Sequence, residues 1–125
     1  MNILLSNSSG EPIYAQIVSQ VRQMILQGEL APGKALPSIR QLAKDLQISV
    51  ITTKRAYEEL EREGLVDSLV GKGSFVSGMN QQYIREQRYR LLEEKMREVL
   101  RDSRLLGMSL PETIEILKTL DEEEE

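Results

Sequence analysis

A chain of 125 residues, 40% of them hydrophobic, suits one compact domain with an appendage and leaves little room for a separate ligand-binding domain. With no Cys and no His it has no thiol chemistry, no histidine acid–base catalysis and no Cys/His zinc site, and nothing implies disulfides. The start, MNILLSNSSGEP, lacks the basic lead and apolar core of a signal peptide, and no apolar run approaches a membrane span, so a cytoplasmic protein with no membrane partner is expected.

A net charge of −4 argues at first against nucleic acid, but the charge is unevenly partitioned. Residues 1–78 balance Arg22, Lys34, Arg40, Lys44, Lys54, Arg55, Arg62 and Lys72 against Glu11, Glu29, Asp45, Glu58, Glu59, Glu61, Glu63 and Asp67. The whole excess of acid therefore lies in residues 79–125, which include the terminal Glu122–Glu125 run. The first part can still present a basic face, and local field rather than total charge governs groove binding.

In chain order, a first helix is expected to start near Pro12, whose fixed φ suits a first turn, with Ile13, Ile17, Val21, Met24 and Ile25 on one apolar face. Gly28 and Ala31-Pro32-Gly33 close it. A short second helix opens at Leu36-Pro37-Ser38, where Ser38 and Gln41 match a capping box, and buries Ile39, Leu42, Ala43 and Leu46. Gln47-Ile48 makes a turn. Ser49 then caps a third helix running to about Glu63, with Thr53, Ala56, Tyr57 and Leu60 inward and Ile51, Thr52, Arg55 and Glu59 outward, Lys54 to one side. Gly64 ends it as a left-handed cap.

Leu65-Val66 and Ser74-Phe75-Val76 are expected to pair as a hairpin through Leu69–Gly73, with Gly71 and Gly73 giving a tight backbone around Lys72. The Gly-Lys-Gly tip lacks the spacing and the strand-to-helix context of a phosphate loop. Gly78 marks the expected boundary between a domain at 1–78 and one at 79–125. From Gln81 to about Leu106 there is no Pro or Gly, and Tyr89, Leu92, Met96, Val99 and Leu106 form an apolar stripe with Ser103 in its gap. Such a stripe has too little surface of its own chain to cover it, and pairing with a second copy is the simplest solution. Gly107 breaks the helix, Ser109 and Glu112 repeat the capping signature, and a short helix over Thr113–Leu120 turns Leu110, Ile114, Leu117 and Leu120 to one side.

The fold class expected is therefore mainly α with a small β wing: a winged helix-turn-helix followed by a C-terminal two-helix dimerisation unit. Such a module reads duplex DNA, with the third helix in the major groove and the hairpin beside it. Gly28-x-Leu30-x-x-Gly33, Leu36-Pro37-Ser38-x-Arg40, Ala56-Tyr57-x-x-Leu60-Glu61 and Gly71-Lys72-Gly73-Ser74-Phe75-Val76, in that order, resemble the GntR family of bacterial transcription regulators. The short C-terminal part resembles its YtrA-like subfamily, which carries a small helical dimerisation unit where relatives have larger effector domains.

The resemblance implies a homodimeric repressor on an inverted-repeat operator, with no cofactor or metal, with double-stranded DNA as partner, a small-molecule effector as a further partner, and an ABC-transporter or envelope-stress operon as target. It assigns DNA contact to Arg40, to Ser49, Val50, Ile51 and Thr52, to Lys54 or Arg55, and to Gly71, Lys72 and Gly73. Two departures stand out. Where family members commonly have Asn-Pro-Asn-Thr-Val this chain has Ser49-Val50-Ile51-Thr52-Thr53, which removes two amides and adds an apolar group suited to a thymine methyl. Where relatives place arginines before the wing tip it has Ser68-Leu69-Val70, leaving Lys72 as the nearby wing cation. The acidic total, the depleted wing and the third-helix glutamates motivate one alternative, a protein-interaction adaptor on the same scaffold. Plentiful carboxylates with no nucleophile–base pair beside them argue against an enzyme.

Overall fold

The amides of two glutamines on the first helix organise the N-terminus of the computed structural model, which describes residues 1–78 and 81–124. In α1 (Ile13–Leu26), Gln20 bonds both the N–H and the C=O of Leu4 at 2.9 and 2.7 Å. One turn earlier, Gln16 does the same for Ser6 at 2.8 Å each. Each side chain takes the place of a neighbouring strand, so residues that form no element of their own are strapped to α1 with their backbone satisfied and Ile3 buried. On the inner face, Ile17, Val21 and Ile25 are buried as expected and are joined by Val18 and Leu26, while Ile13 and Met24 are only half-buried.

Ser38 caps α2 (Ile39–Leu46) by accepting from the Gln41 N–H at 3.0 Å. The reciprocal half of the expected capping box does not form, because the Gln41 side chain donates instead to Asp45 at 2.7 Å, one turn along the same face. Leu42 and Ala43 are buried; Ile39 and Leu46 reach only half-burial. Gln47 closes the helix in the left-handed region, at φ +56°, and this lets the Ile48 N–H reach the Ala43 carbonyl at 3.0 Å. A left-handed residue with a Cβ costs roughly 1–2 kcal/mol, part of which glycine gives back through its freer unfolded chain. Gln47→Gly is therefore expected to stabilise the fold by about 0.5–1 kcal/mol, read as a rise of a few degrees in thermal melting; a lowered melting temperature would refute the strain argument.

Ser49 accepts from the Thr52 N–H at 3.0 Å to start α3 (Val50–Arg62), which packs on α1 and α2 through Thr53, Ala56, Tyr57 and Leu60. The Tyr57 hydroxyl donates to the Pro37 carbonyl at 2.7 Å, tying mid-α3 to the entrance of α2, and burial pushes its pKa up. Gly64, at φ +77°, turns the chain so that the Leu65 N–H closes on the Leu60 carbonyl at 3.0 Å. That bond explains a shift in the hairpin. The Leu65 N–H is spent on the helix end while its carbonyl accepts from the Ser77 N–H at 2.9 Å, and β1 runs over Val66–Leu69, pairing antiparallel with β2 (Gly73–Val76) and leaving a shorter turn at Val70–Lys72 than the Leu69–Gly73 expected.

The other edge of β2 is covered by the segment leading into α2, a pairing with no signal in the sequence. Gly33 donates to Val76, Val76 to Lys34, and Leu36 to Ser74, at 2.8–2.9 Å. The hairpin is thereby sewn to the helix-turn-helix.

The chain separates into two compact units, Met1–Arg88 and Tyr89–Glu125, so the division falls inside α4 (Gln81–Leu105) rather than at Gly78. The reason is local: Ile84 is buried and Arg88 bonds to the end of α1, which holds the first turns of α4 to the N-terminal unit. Met79 and Asn80, at the start of the second domain as expected from sequence, lie outside the described residues. In the C-terminal unit, Gly107 at φ +75° ends the turn after α4, and Ser109 and Glu112 form the full capping box of α5 (Leu110–Glu123). The Ser109 bonds hold the Glu112 carboxyl below its ordinary pKa. With Ser109 as cap, α5 begins three residues before the expected Thr113 and continues past Leu120 into the acidic tail. Ser103, in the gap of the α4 stripe, meets Thr113 through a buried hydroxyl–hydroxyl bond.

Candidate nucleic-acid interface

The first turn of α3 presents an apolar point rather than a polar one. Ser49 Oγ donates to Thr52 Oγ1 at 2.8 Å while accepting from the Thr52 amide, so these two hydroxyls largely satisfy each other. Between them Val50 and Ile51 face solvent, Ile51 with 81% of its surface exposed. This side chain lies at the positive end of the helix and is not covered by the fold.

The basic residues divide into free and engaged. Arg40, on the second residue of α2, is exposed and forms no ion pair with any described residue, nor do Lys34, Lys44 and Lys72. Of the glutamates along α3 and at its C-terminal cap, three are held elsewhere, Glu63 by Arg22 at 2.8 Å, Glu59 by Arg62 and Glu58 by Lys54 at 3.9 Å, while Glu61 forms no ion pair with a described residue. Much of the acid along α3 is thus neutralised within the unit, and its C-terminal part is turned toward α1.

Arg55, one of the two third-helix cations to which the resemblance assigns DNA contact, also has a partner within the unit. Its guanidinium carbon lies 3.8 Å from the ring centroid of Tyr14 on α1, a cation–π contact that holds the head group in one place. Tyr14, half-buried and off the apolar stripe of α1, carried no sequence signal for this role.

At the wing tip the Lys72 N–H bonds the Leu69 carbonyl at 2.9 Å, with Gly71 at φ +77° and Gly73 at φ +103°. A Cβ at either glycine would meet nothing within 4 Å, so backbone conformation and not space requires them. Val70 is fully exposed and Leu69 half so, and Lys72 is the cation of the turn.

In the C-terminal unit, none of the nine apolar residues singled out from sequence is covered by its own chain. Tyr89, Leu92, Met96, Val99, Leu106, Leu110, Ile114, Leu117 and Leu120 are all at least 40% exposed. Leu92, Met96 and Val99 of α4 and Leu110, Ile114 and Leu117 of α5 line one apolar groove of about 370 Å³.

A helix-turn-helix with a stitched hairpin beside it defines a winged-helix DNA-binding protein. Residues 13–76 match the profile of the bacterial regulatory proteins, gntR family. Over 118 residues, 94% of this chain and 91% of the relative, it is 32% identical to the HTH-type transcriptional repressor YtrA of Bacillus subtilis. The solved structure of YtrA from Sulfolobus acidocaldarius, a GntR-family transcription factor, superposes with a TM-score of 0.56 at 31% identity, covering 97% of both chains. The DNA-binding domain of AraR in complex with operator ORX1 superposes at 0.55 with 28% identity, covering 62% of this chain and 96% of that one. The chain belongs to the GntR family of DNA-binding transcription regulators; its relatives are regulators, not enzymes. No helix among the described residues is long and apolar enough to cross a membrane.

Proposed function

We propose that the protein is a cytoplasmic repressor that binds an inverted-repeat operator as a homodimer, each copy placing the first turn of α3 in a major groove and its wing alongside. The carrying observation is that the two surfaces this needs are both left open by the fold: Val50 and Ile51 at the tip of α3, and the apolar face shared by α4 and α5. Arg40 and Lys72, both without ion-pair partners, supply phosphate contacts, while Ser49, Thr52, Lys54 and Arg55 border the reading tip and Gly71 and Gly73 let the wing backbone approach. YtrA of Bacillus subtilis carries the name of a repressor and AraR has been solved on an operator, and both support the reading.

Ile51 reads a thymine methyl in each half-site, the natural complement of an exposed aliphatic group whose polar neighbours are bonded to each other. One methyl removed from water contributes about 0.8 kcal/mol. Replacing that thymine by deoxyuridine in both half-sites is expected to weaken binding roughly 15-fold. Fluorescence anisotropy with uridine placed position by position checks this, and Ile51→Ala should erase the penalty. Uniform affinity at every uridine position would contradict methyl reading, while failure of the unmodified inverted repeat to bind would contradict the operator reading itself.

A further inference from the structure

The two adjacent cations of α3 are held in different ways. Lys54 reaches Glu58 at 3.9 Å, an exposed pair within one helix that adds little rigidity. Arg55 forms no ion pair with a described residue, yet its head group has a seat: the guanidinium carbon lies 3.8 Å from the ring centroid of Tyr14 on α1. Glu59, one turn on from Arg55 and its ordinary helix partner, is bonded to Arg62 instead. A cation placed before its carboxylate in the chain is also the weaker orientation of such a pair.

A guanidinium is planar and carries all five N–H groups in its plane. Contact through its face with an aromatic ring therefore consumes none of them. An ion pair to Glu59 would have fixed the head group and occupied its donors together; the ring fixes the head group and leaves the donors open. The ring is itself well seated, half-buried on a helix that packs against α3, and both residues belong to the unit Met1–Arg88. Arg55 stands one turn beyond Ile51 on the same face of α3. A helix that meets base edges with its first turn carries its second past the phosphates that wall the groove.

We propose that Tyr14 is a positioning residue: its ring holds the Arg55 guanidinium beside the groove wall with its donors free, and Arg55 binds an operator phosphate. This rests on the operator reading proposed above. It also separates the two neighbouring cations, since Lys54 has no such seat.

The test measures binding of the full chain to an inverted repeat while the electron density of the ring at position 14 is varied at nearly constant shape. Tyr14→Phe keeps the ring face and is expected to bind within about twofold of wild type. Trifluoro- and pentafluorophenylalanine at the same position drain the face of negative charge, and affinity should fall in steps, by about fivefold to thirtyfold at the last when the contact is lost in both subunits. Arg55→Ala should weaken binding by about 100-fold at low salt and lower the slope of log affinity against log salt by about 1.8. The fluorinated proteins should keep the wild-type slope, because the charge is still present, and fluorination should have no effect once Arg55→Ala is in place. A ring that served packing alone would respond equally with and without Arg55. A series without steps, or with equal steps in both backgrounds, overturns the positioning role, and an unchanged salt slope for Arg55→Ala overturns the phosphate contact. Wild-type protein that does not bind the inverted repeat at low salt overturns the operator reading and the inference with it. Should Arg55→Ala fail to fold, Arg55→Gln, which keeps a planar polar group without the charge, is read by the same two criteria.

Discussion

Replacing Met96 and Ile114 by glutamate is expected to make the protein monomeric and to weaken its binding to an inverted repeat by about 10²- to 10⁴-fold. Both side chains are exposed in the single chain and line the same groove, so the two charges cost the isolated fold little. In a paired state each would be buried against hydrocarbon without a partner, at several kcal/mol per charge. Loss of pairing then removes the second half-site from the same binding event, and only the affinity of one module for one half-site remains. Light scattering should fall from twice the 14.3 kDa chain mass to that mass, with an unchanged circular dichroism spectrum. A variant that stays dimeric would place the pairing surface elsewhere.

The second large effect is expected from Arg40→Ala. Arg40 is exposed, without an ion-pair partner among the described residues, and early on α2, and in the proposed reading its guanidinium binds a phosphate. A charge-assisted bond contributes about 1.5–3 kcal/mol. Losing one from each of two subunits should therefore weaken binding by at least 100-fold at low salt. Each lost phosphate contact also removes about 0.9 from the slope of log affinity against log salt, so the dimer should lose about 1.8. The penalty should be uniform across operator sequences, in contrast to Ile51→Ala, whose penalty should vanish on deoxyuridine DNA. A sequence-dependent loss for Arg40→Ala would make it a base-reading residue instead.

Where patterns are local, the sequence was readable. Ser38, Ser49 and Ser109 cap helices because a hydroxyl reaches an amide three residues on, and Gly64, Gly71 and Gly107 adopt positive φ where glycine is least strained. The exposed α4–α5 stripe is likewise a matter of period alone. Contacts that depend on distant partners left no such trace. Arg55 over Tyr14, Gln16 and Gln20 against the N-terminal backbone, Arg88 on α1 and the Gly33–Leu36 segment beside β2 each join residues whose types permit many partners. Gln41 shows the same limit at short range, since a capping partner and an i+4 acceptor were both in reach and the structure selects Asp45. The exposure of Ile51 and Arg40, on which their proposed roles rest, is stated by a sequence pattern only as a face of a helix.

Hydroxyl-radical footprinting of the purified protein on its own upstream region, with the mass of the complex measured alongside, addresses the central claim most directly. Two chains per duplex and two protected half-sites on one face of the DNA, related by inverted symmetry and separated by about one helical turn or a multiple of it, are the result expected. A single protected site holding one chain, or no protection at low salt, would contradict it.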